Sequence, residues 1–295
     1  MAQRSIFDQP TTPRLFNLIE KVRQGLIEIP AFQRPFEWDK DRRLLLFDSV
    51  SKGIPIGSFL IWITRDHTLE TYTQLGGYTL RDMASAGVRT YLLDGHQRLS
   101  TLFAALNWGS EPSTEDSDGG WPIWFNTRAE PNALAFASHK RRVEPPPEFV
   151  PLSIMLQSRK LWEYTSRMRS AGLHEEAERA EELANTLKDY QIPMVPLVSE
   201  DLDLVTDSFV RINRHGKAMQ ESHMLHALAF PKSKTVRVRM EDLKERLHDV
   251  GWGEIDEKYL VNALKIRWDL DVYSAGPRKL MERFEAMEGT ADEAL

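Results

Sequence analysis

Asp94-Gly95-His96-Gln97-Arg98 places a carboxylate, a glycine, an imidazole, an amide and a guanidinium in one run, a set suited to holding an anion. Tyr91-Leu92-Leu93 before it is β-prone. Leu99, Leu102, Phe103 and Leu106 after it recur at helical spacing until Gly109 supplies a stop. The polar run therefore falls at a strand-to-helix corner. The first amides of a helix lack internal acceptors and carry the positive end of its dipole, so a phosphate settles there where a glycine lets the backbone approach. Arg98 adds a forked cationic donor, Asp94 a carboxylate able to orient water, and Thr101 a nearby hydroxyl. A plainer reading stands beside this one: Asp-Gly is an ordinary turn pair, Asp94 a helix cap and Arg98 half of a surface salt bridge.

Two further clusters carry similar chemistry. Ile29-Pro30-Ala31-Phe32-Gln33-Arg34-Pro35-Phe36-Glu37-Trp38 surrounds one Gln-Arg pair with aromatics, and its prolines suggest an edge strand lining a cleft, with Gln33 and Arg34 aimed at the pocket of Arg98. Alternatively the aromatics are core and Arg34 is a solvated edge charge. Arg211-Ile212-Asn213-Arg214-His215-Gly216-Lys217 ends a helical pattern in a basic loop whose Asn213 and Gly216 suit unusual backbone angles. Arg211, Asn213, Gly216 and Lys217 are its candidate phosphate contacts, unless the loop is simply a basic C-cap. The anion reading expects Arg34, Arg98 and Arg211 to surround one guest.

In this order the motifs, with Gly53-Ile54-Pro55-Ile56-Gly57-Ser58-Phe59-Leu60-Ile61-Trp62 between the first two, resemble the ParB-like domain-of-unknown-function family. That family occurs in the GmrS half of GmrSD-type modification-dependent restriction enzymes and in related phage-defence proteins. The resemblance runs from roughly Leu15 to Phe230. It implies an α+β fold with a ParB/sulfiredoxin-like mixed-sheet core, a helical C-terminal extension, and a nucleoside-triphosphate-binding and hydrolysing sensor acting with a nuclease on modified DNA. The cofactor it implies is GTP or ATP, with Mg2+ as a candidate companion. Asp94, Gly95, Gln97 and Arg98 match the family's Asp-Gly-Gln-Gln-Arg element, with Asp94 and Arg98 in the catalytic role. His96 departs from it, placing a titratable imidazole where a neutral amide is usual. Rival readings are a nucleotide-gated clamp without hydrolysis and a DNA nuclease built on Asp94.

Composition limits the partners. With no cysteine among 295 residues, disulfides and thiolate chemistry are excluded. No apolar run reaches membrane-spanning length and the start lacks a signal peptide's apolar core, so a cytoplasmic protein is expected. A formal net charge of -6 argues against a wholly basic nucleic-acid platform. Local basic strips still offer DNA contacts at Lys140, Arg141 and Arg142 and at Lys234 and Arg237. His223 and His226 lack suitably spaced companions for a metal, and no His-Asn-His nuclease signature is present, so a separate nuclease domain or subunit is expected, with a homo-oligomer allowed.

The elements that would position these groups divide the chain into a nucleotide-binding domain over 1–230, with a flexible insertion at 110–120, and a helical region over 231–295. Thr11-Thr12-Pro13 opens a helix burying Leu15, Leu18, Ile19 and Val22, and Asp39 caps one carrying Leu44, Leu45, Phe47 and Val50. Ser58–Ile63 and Trp121–Phe125 read as strands, Gln74–Tyr78 as a turn and Ile192–Val198 as an edge strand. Leu173, Ala177, Ala180, Ala184 and Leu187 form a stripe on an acidic, projecting helix. Beyond Pro231, one helix carries Met240, Leu243, Leu247 and Val250, and another carries Tyr259, Leu260, Ala263, Leu264 and Trp268.

Overall fold

Along the chain the elements are α1 (Leu15–Arg23), α2 (Lys40–Ser51), β1 (Phe59–Thr64), β2 (Gln74–Leu75), β3 (Tyr78–Thr79), β4 (Arg89–Asp94) and α3 (His96–Asn107). There follow β5 (Ile123–Asn126), β6 (Phe136–Ser138), β7 (Phe149–Pro151), α4 (Ser158–Ser170), α5 (His174–Asp189), β8 (Met194–Val198), α6 (Leu202–Ile212) and α7 (Glu257–Arg267). The computed structural model describes residues 8–33, 36–81, 87–107, 122–138, 145–212, 242–273, 275, 279–280 and 282–283. The architecture is α+β, and no helix among the described residues is long and apolar enough to cross a membrane.

The sheet that carries the corner has the order β4-β1-β8, with β1 antiparallel to β4 and parallel to β8. Its central strand, Phe-Leu-Ile-Trp-Ile-Thr, is apolar almost throughout because both faces are covered. Phe59 and Ile61 point into a large cluster with Leu92, Leu99, Leu102 and Phe103, while Leu60 and Trp62 point into a second with Tyr91, Leu93, Leu202, Val205 and Phe209. Side chains alternate across a strand, so α3 packs on one face and α6 on the other. Fully burying a residue such as Phe59 or Leu102 contributes about 1.5–3 kcal/mol.

The helices largely follow their apolar spacing. In α1, Leu15, Leu18, Ile19 and Val22 are buried, though the helix begins at Leu15, because Thr11 forms a bridge with Met194 beside β8. Asp39 caps α2 by accepting the Arg42 amide, but Leu46 is buried where Leu45 was expected and Leu45 is 55% exposed. The helix turns that face away from its neighbours. The acidic helix α5 does not project: Ala177, Ala180, Leu183, Ala184 and Leu187 are buried, and it packs against α1, α2 and α4. Its alanines allow that approach, and its polar face, with Glu175, Glu178, Arg179, Glu182 and Asn185, meets water.

Two expected strand or turn segments also differ. Residues 31–33 form a turn closed by the Gln33 amide on the Pro30 carbonyl at 3.1 Å, since prolines at 30 and 35 deprive a ladder of donors. Gln74–Tyr78 is a tight hairpin of β2 and β3 rather than a plain turn. A third sheet has the order β6-β5-β7, and β8 is an edge strand as its prolines require. Leu260, Val261, Leu264, Trp268 and Leu280 form a separate cluster with Leu243 and Leu247 against it. Val250, Tyr259 and Ala263 lie outside that apolar phase and are exposed.

Candidate functional site

The corner after β4 starts from a slip in strand register. Ile61 pairs with Leu92 but Leu60 pairs with Asp94, leaving Leu93 as an extra residue at the end of the strand. Such a bulge re-aims the side chain that follows. Gly95 then turns the chain into α3 with φ of +100°, and a Cβ there would lie 2.2 Å from Cδ1 of Phe59. Only a residue without a side chain fits between the sheet and the helix.

Arg98, one turn into α3, is held from three sides. Its Nη2 donates to Asp94 Oδ2 at 3.0 Å, its Nη1 donates to the Ile56 carbonyl at 2.7 Å, and its guanidinium carbon stands 5.2 Å from the centre of the Phe59 ring. A Cβ on Gly57 would come within 2.4 Å of Nη1, so that glycine clears the guanidinium's place. The side chains of Arg98 and Asp94 remain 18% and 37% exposed, leaving the pair reachable from solvent. The result is a preorganised fork with a carboxylate beside it at the mouth of a helix.

The Gln-Arg segment is tied to this corner through side chains of both motifs. Gln33 is buried, and its Nε2 donates to the Leu92 carbonyl, covering the outer edge of β4 beyond the point where Glu28 pairs with Tyr91. Gln97 Oε1 accepts the amides of Glu37 at 2.9 Å and Trp38 at 3.2 Å. The His96 ring stacks on Tyr72 at 5.4 Å between centroids and 23° between planes, and the Tyr72 hydroxyl donates to the Gln33 carbonyl at 2.6 Å. Burial raises the Tyr72 pKa, which keeps that donor protonated. Chain positions 33, 37 and 38 are thereby fastened on either side of Arg34, which itself lies outside the described residues.

Other predicted contacts are placed differently. Thr101 is fully buried, and its hydroxyl donates to the Gln97 carbonyl at 2.8 Å, so it serves the helix interior rather than a solvent-facing site. Arg211 lies on α6, across the sheet from α3, with its guanidinium on Asp207 at 2.8–2.9 Å and its side chain 68% exposed. Arg211 is bonded to Asp207 of its own helix, and among the described residues no hydrogen bond or ion pair joins it to Asp94 or Arg98. Phe209 nevertheless meets Phe32 edge-on at 5.6 Å, so the Gln-Arg segment does touch α6. Asn213, Gly216, Lys217, Lys140, Arg141, Arg142, Lys234, Arg237, His223, His226 and the 110–120 segment lie outside the described residues.

Ile56, Gly57, Phe59 and Tyr72 take part in the corner without having been singled out for it. The Gly-Ile-Pro-Ile-Gly-Ser-Phe run was the available sign for the first three. Tyr72 carried none, because a single aromatic in an irregular segment has no periodicity to read. Among the described residues two hollows stand out, the second lined in part by Tyr72. One of about 480 Å³ runs between Trp124, Tyr164 and Arg167, and one of about 320 Å³ lies against Glu28, Tyr72 and Arg89.

A search of curated proteins finds no match to the chain. Residues 15–230, which include the corner, the Gln-Arg segment and α6, match the GmrSD restriction endonuclease N-terminal domain family. With motif order, the joined corner and a match across most of its length, the chain belongs to the family of GmrSD restriction endonuclease N-terminal domains.

Proposed function

We propose that this chain is the nucleotide-handling module of a restriction-type defence protein that acts on modified DNA, and that the phosphates of a nucleoside triphosphate bind at Asp94–Arg98. The family supports the restriction and DNA setting. The anchored Arg98 supports the nucleotide: a guanidinium fixed by Ile56, Asp94 and the Phe59 ring, at the N-terminus of α3, is oriented before ligand arrives and loses little freedom on binding. Asp94 holds Arg98 with one oxygen. Its other oxygen is available to orient water or to share a Mg2+ with the phosphates, an ion that would neutralise phosphate charge. The core is read as ParB/sulfiredoxin-like, the DNA contacts as the basic runs at Lys140–Arg142 and Lys234–Arg237, and cleavage as the task of a nuclease domain or subunit.

The pairing of Asp94 with Arg98 also favours a second reading, in which the site binds triphosphate and gates a partner without turning it over. Calorimetry with a slowly hydrolysed analogue beside a phosphate-release assay separates the two. Arg98→Ala is expected to weaken binding at least tenfold, in keeping with about 1.5–3 kcal/mol for a hydrogen bond to a charged group. Asp94→Asn is expected to keep or tighten binding, since it removes a negative charge beside the phosphates, and to abolish phosphate release. Binding unchanged in Arg98→Ala overturns the assignment. Release unchanged in Asp94→Asn removes the catalytic role.

A further inference from the structure

The hollow of about 480 Å³ is bounded by β5, by Pro145 and Pro147, and by one stripe of α4. Tyr164, Arg167, Met168 and Ala171 recur on that stripe at three- and four-residue spacing, and Trp124 of β5 completes the aromatic part of the lining. Trp124 and Tyr164 are only half-buried, although side chains of that size gain most from full burial. The Tyr164 hydroxyl donates to the Phe149 carbonyl at 2.7 Å, which fixes the ring beside β7. Arg167 is fixed in turn: its Nε donates to the Glu163 carbonyl at 3.4 Å, and its guanidinium carbon stands 5.3 Å from the centre of the Tyr164 ring.

Charge on this face is unevenly balanced. Arg159 pairs with Glu163 at 2.9 Å and Arg169 with Glu181 at 2.8 Å, whereas among the described residues no carboxylate pairs with Arg167. Lys160, exposed and one turn before Tyr164, adds a second cation to the same stripe. In sequence, His139-Lys140-Arg141-Arg142 ends three residues before Pro145, so a basic run leads directly into the lining. Aromatic surface beside cations that lack an acidic partner suits a polyanion with flat faces, because the rings and the guanidinium take a base while the positive charge takes phosphate. We propose that the hollow docks a DNA strand, with one unstacked base against Trp124, Tyr164 and the Arg167 guanidinium, and Arg167 and Lys160 drawing the flanking phosphates; this rests on the DNA setting proposed above. The volume falls within the range of about 300–1,000 Å³ that holds ligands. The hollow shares no residue with the Asp94–Arg98 corner.

The test is fluorescence titration of the full chain with a mixed-sequence DNA strand, an abasic strand of the same length and a duplex. The mixed strand is expected to bind about fivefold or more tightly than the abasic one, the discrimination of one stacked base, and to quench tryptophan emission. Trp124→Phe keeps a stacking ring, so it should retain most of the affinity and lose that quench. Arg167→Ala should weaken the strand about fivefold or more and lower the salt dependence of binding by about 0.7 in slope, while Arg167→Lys keeps the slope. Arg65→Ala, which removes an exposed charge at the end of β1, should change neither. Equal affinity for mixed and abasic strands, binding of the duplex alone, or a quench that survives Trp124→Phe overturns the hollow as the docking site and leaves the DNA reading standing. Failure of all three DNAs to bind overturns both.

Discussion

Gln97 and Trp38, 59 residues apart, are joined by a hydrogen bond from the Trp38 amide to Gln97 Oε1 at 3.2 Å, and the same oxygen accepts the Glu37 amide. The first turn of α3 thus organises the segment that follows Arg34. One side-chain amide does what a stretch of strand would otherwise do.

Substitution at Gln97 therefore separates fold from function. Gln97→Ala leaves two backbone amides without this acceptor and, since the Glu37 amide can turn to water, is expected to lower stability by about 0.5–1.5 kcal/mol. Gln97→Glu keeps an acceptor in place, so urea denaturation should show a much smaller loss. It also sets a negative charge at the helix mouth, and calorimetry should show triphosphate binding weakened despite the intact fold.

Gly95 and Gly57 both have positive φ, of +100° and +90°, yet alanine at each meets a different neighbour. At Gly95 the added carbon strikes the fully buried Phe59 ring, which cannot yield, so Gly95→Ala should cost about 3 kcal/mol or more in thermal or urea unfolding. At Gly57 it meets the guanidinium of Arg98, the far end of a long side chain rather than a packed ring. Gly57→Ala should cost only about 1–2 kcal/mol but displace the guanidinium from Ile56, and triphosphate affinity should fall as far as in Arg98→Ala.

Glu200 predicts a pH dependence of stability. Burial pushes its carboxyl pKa up, but the Thr64 hydroxyl, the amides of Arg65 and Asp66 and the nearby His67 outweigh that and hold it below its ordinary value of 4.5. Glu181, bonded to Arg169 at 2.8–2.9 Å, is lowered as well, chiefly by that pairing. A folded-state pKa below the unfolded one gives stability that is complete above pH 4.5 and is lost as pH falls through the folded value. Urea midpoints measured in an acid series should decline below pH 4.5, and Glu200→Gln should flatten part of that decline. An identical decline in the variant would remove Glu200 from the account.

The local features of this protein were legible because they depend on neighbours in sequence. The buried faces of α1 and α5, the Asp39 cap and the strand-to-helix corner at Asp94–Arg98 follow from apolar period, capping chemistry and turn residues. Leu45 and Leu46 show the limit, since both fit a helix and only the neighbouring elements choose which is buried.

Relations among distant segments needed the tertiary structure. The amino-acid order marked Arg98 as a candidate anion ligand but could not say that Ile56 and Phe59 orient it, that Thr101 faces the core, or that Arg211 sits on the helix across the sheet. Gln33 looked like a cleft residue and is instead the cover of a strand edge. Residue type decides which chemistry a side chain can perform. Strand alternation and helix phase, summed over the whole packed chain, decide which face it occupies and therefore what it can reach.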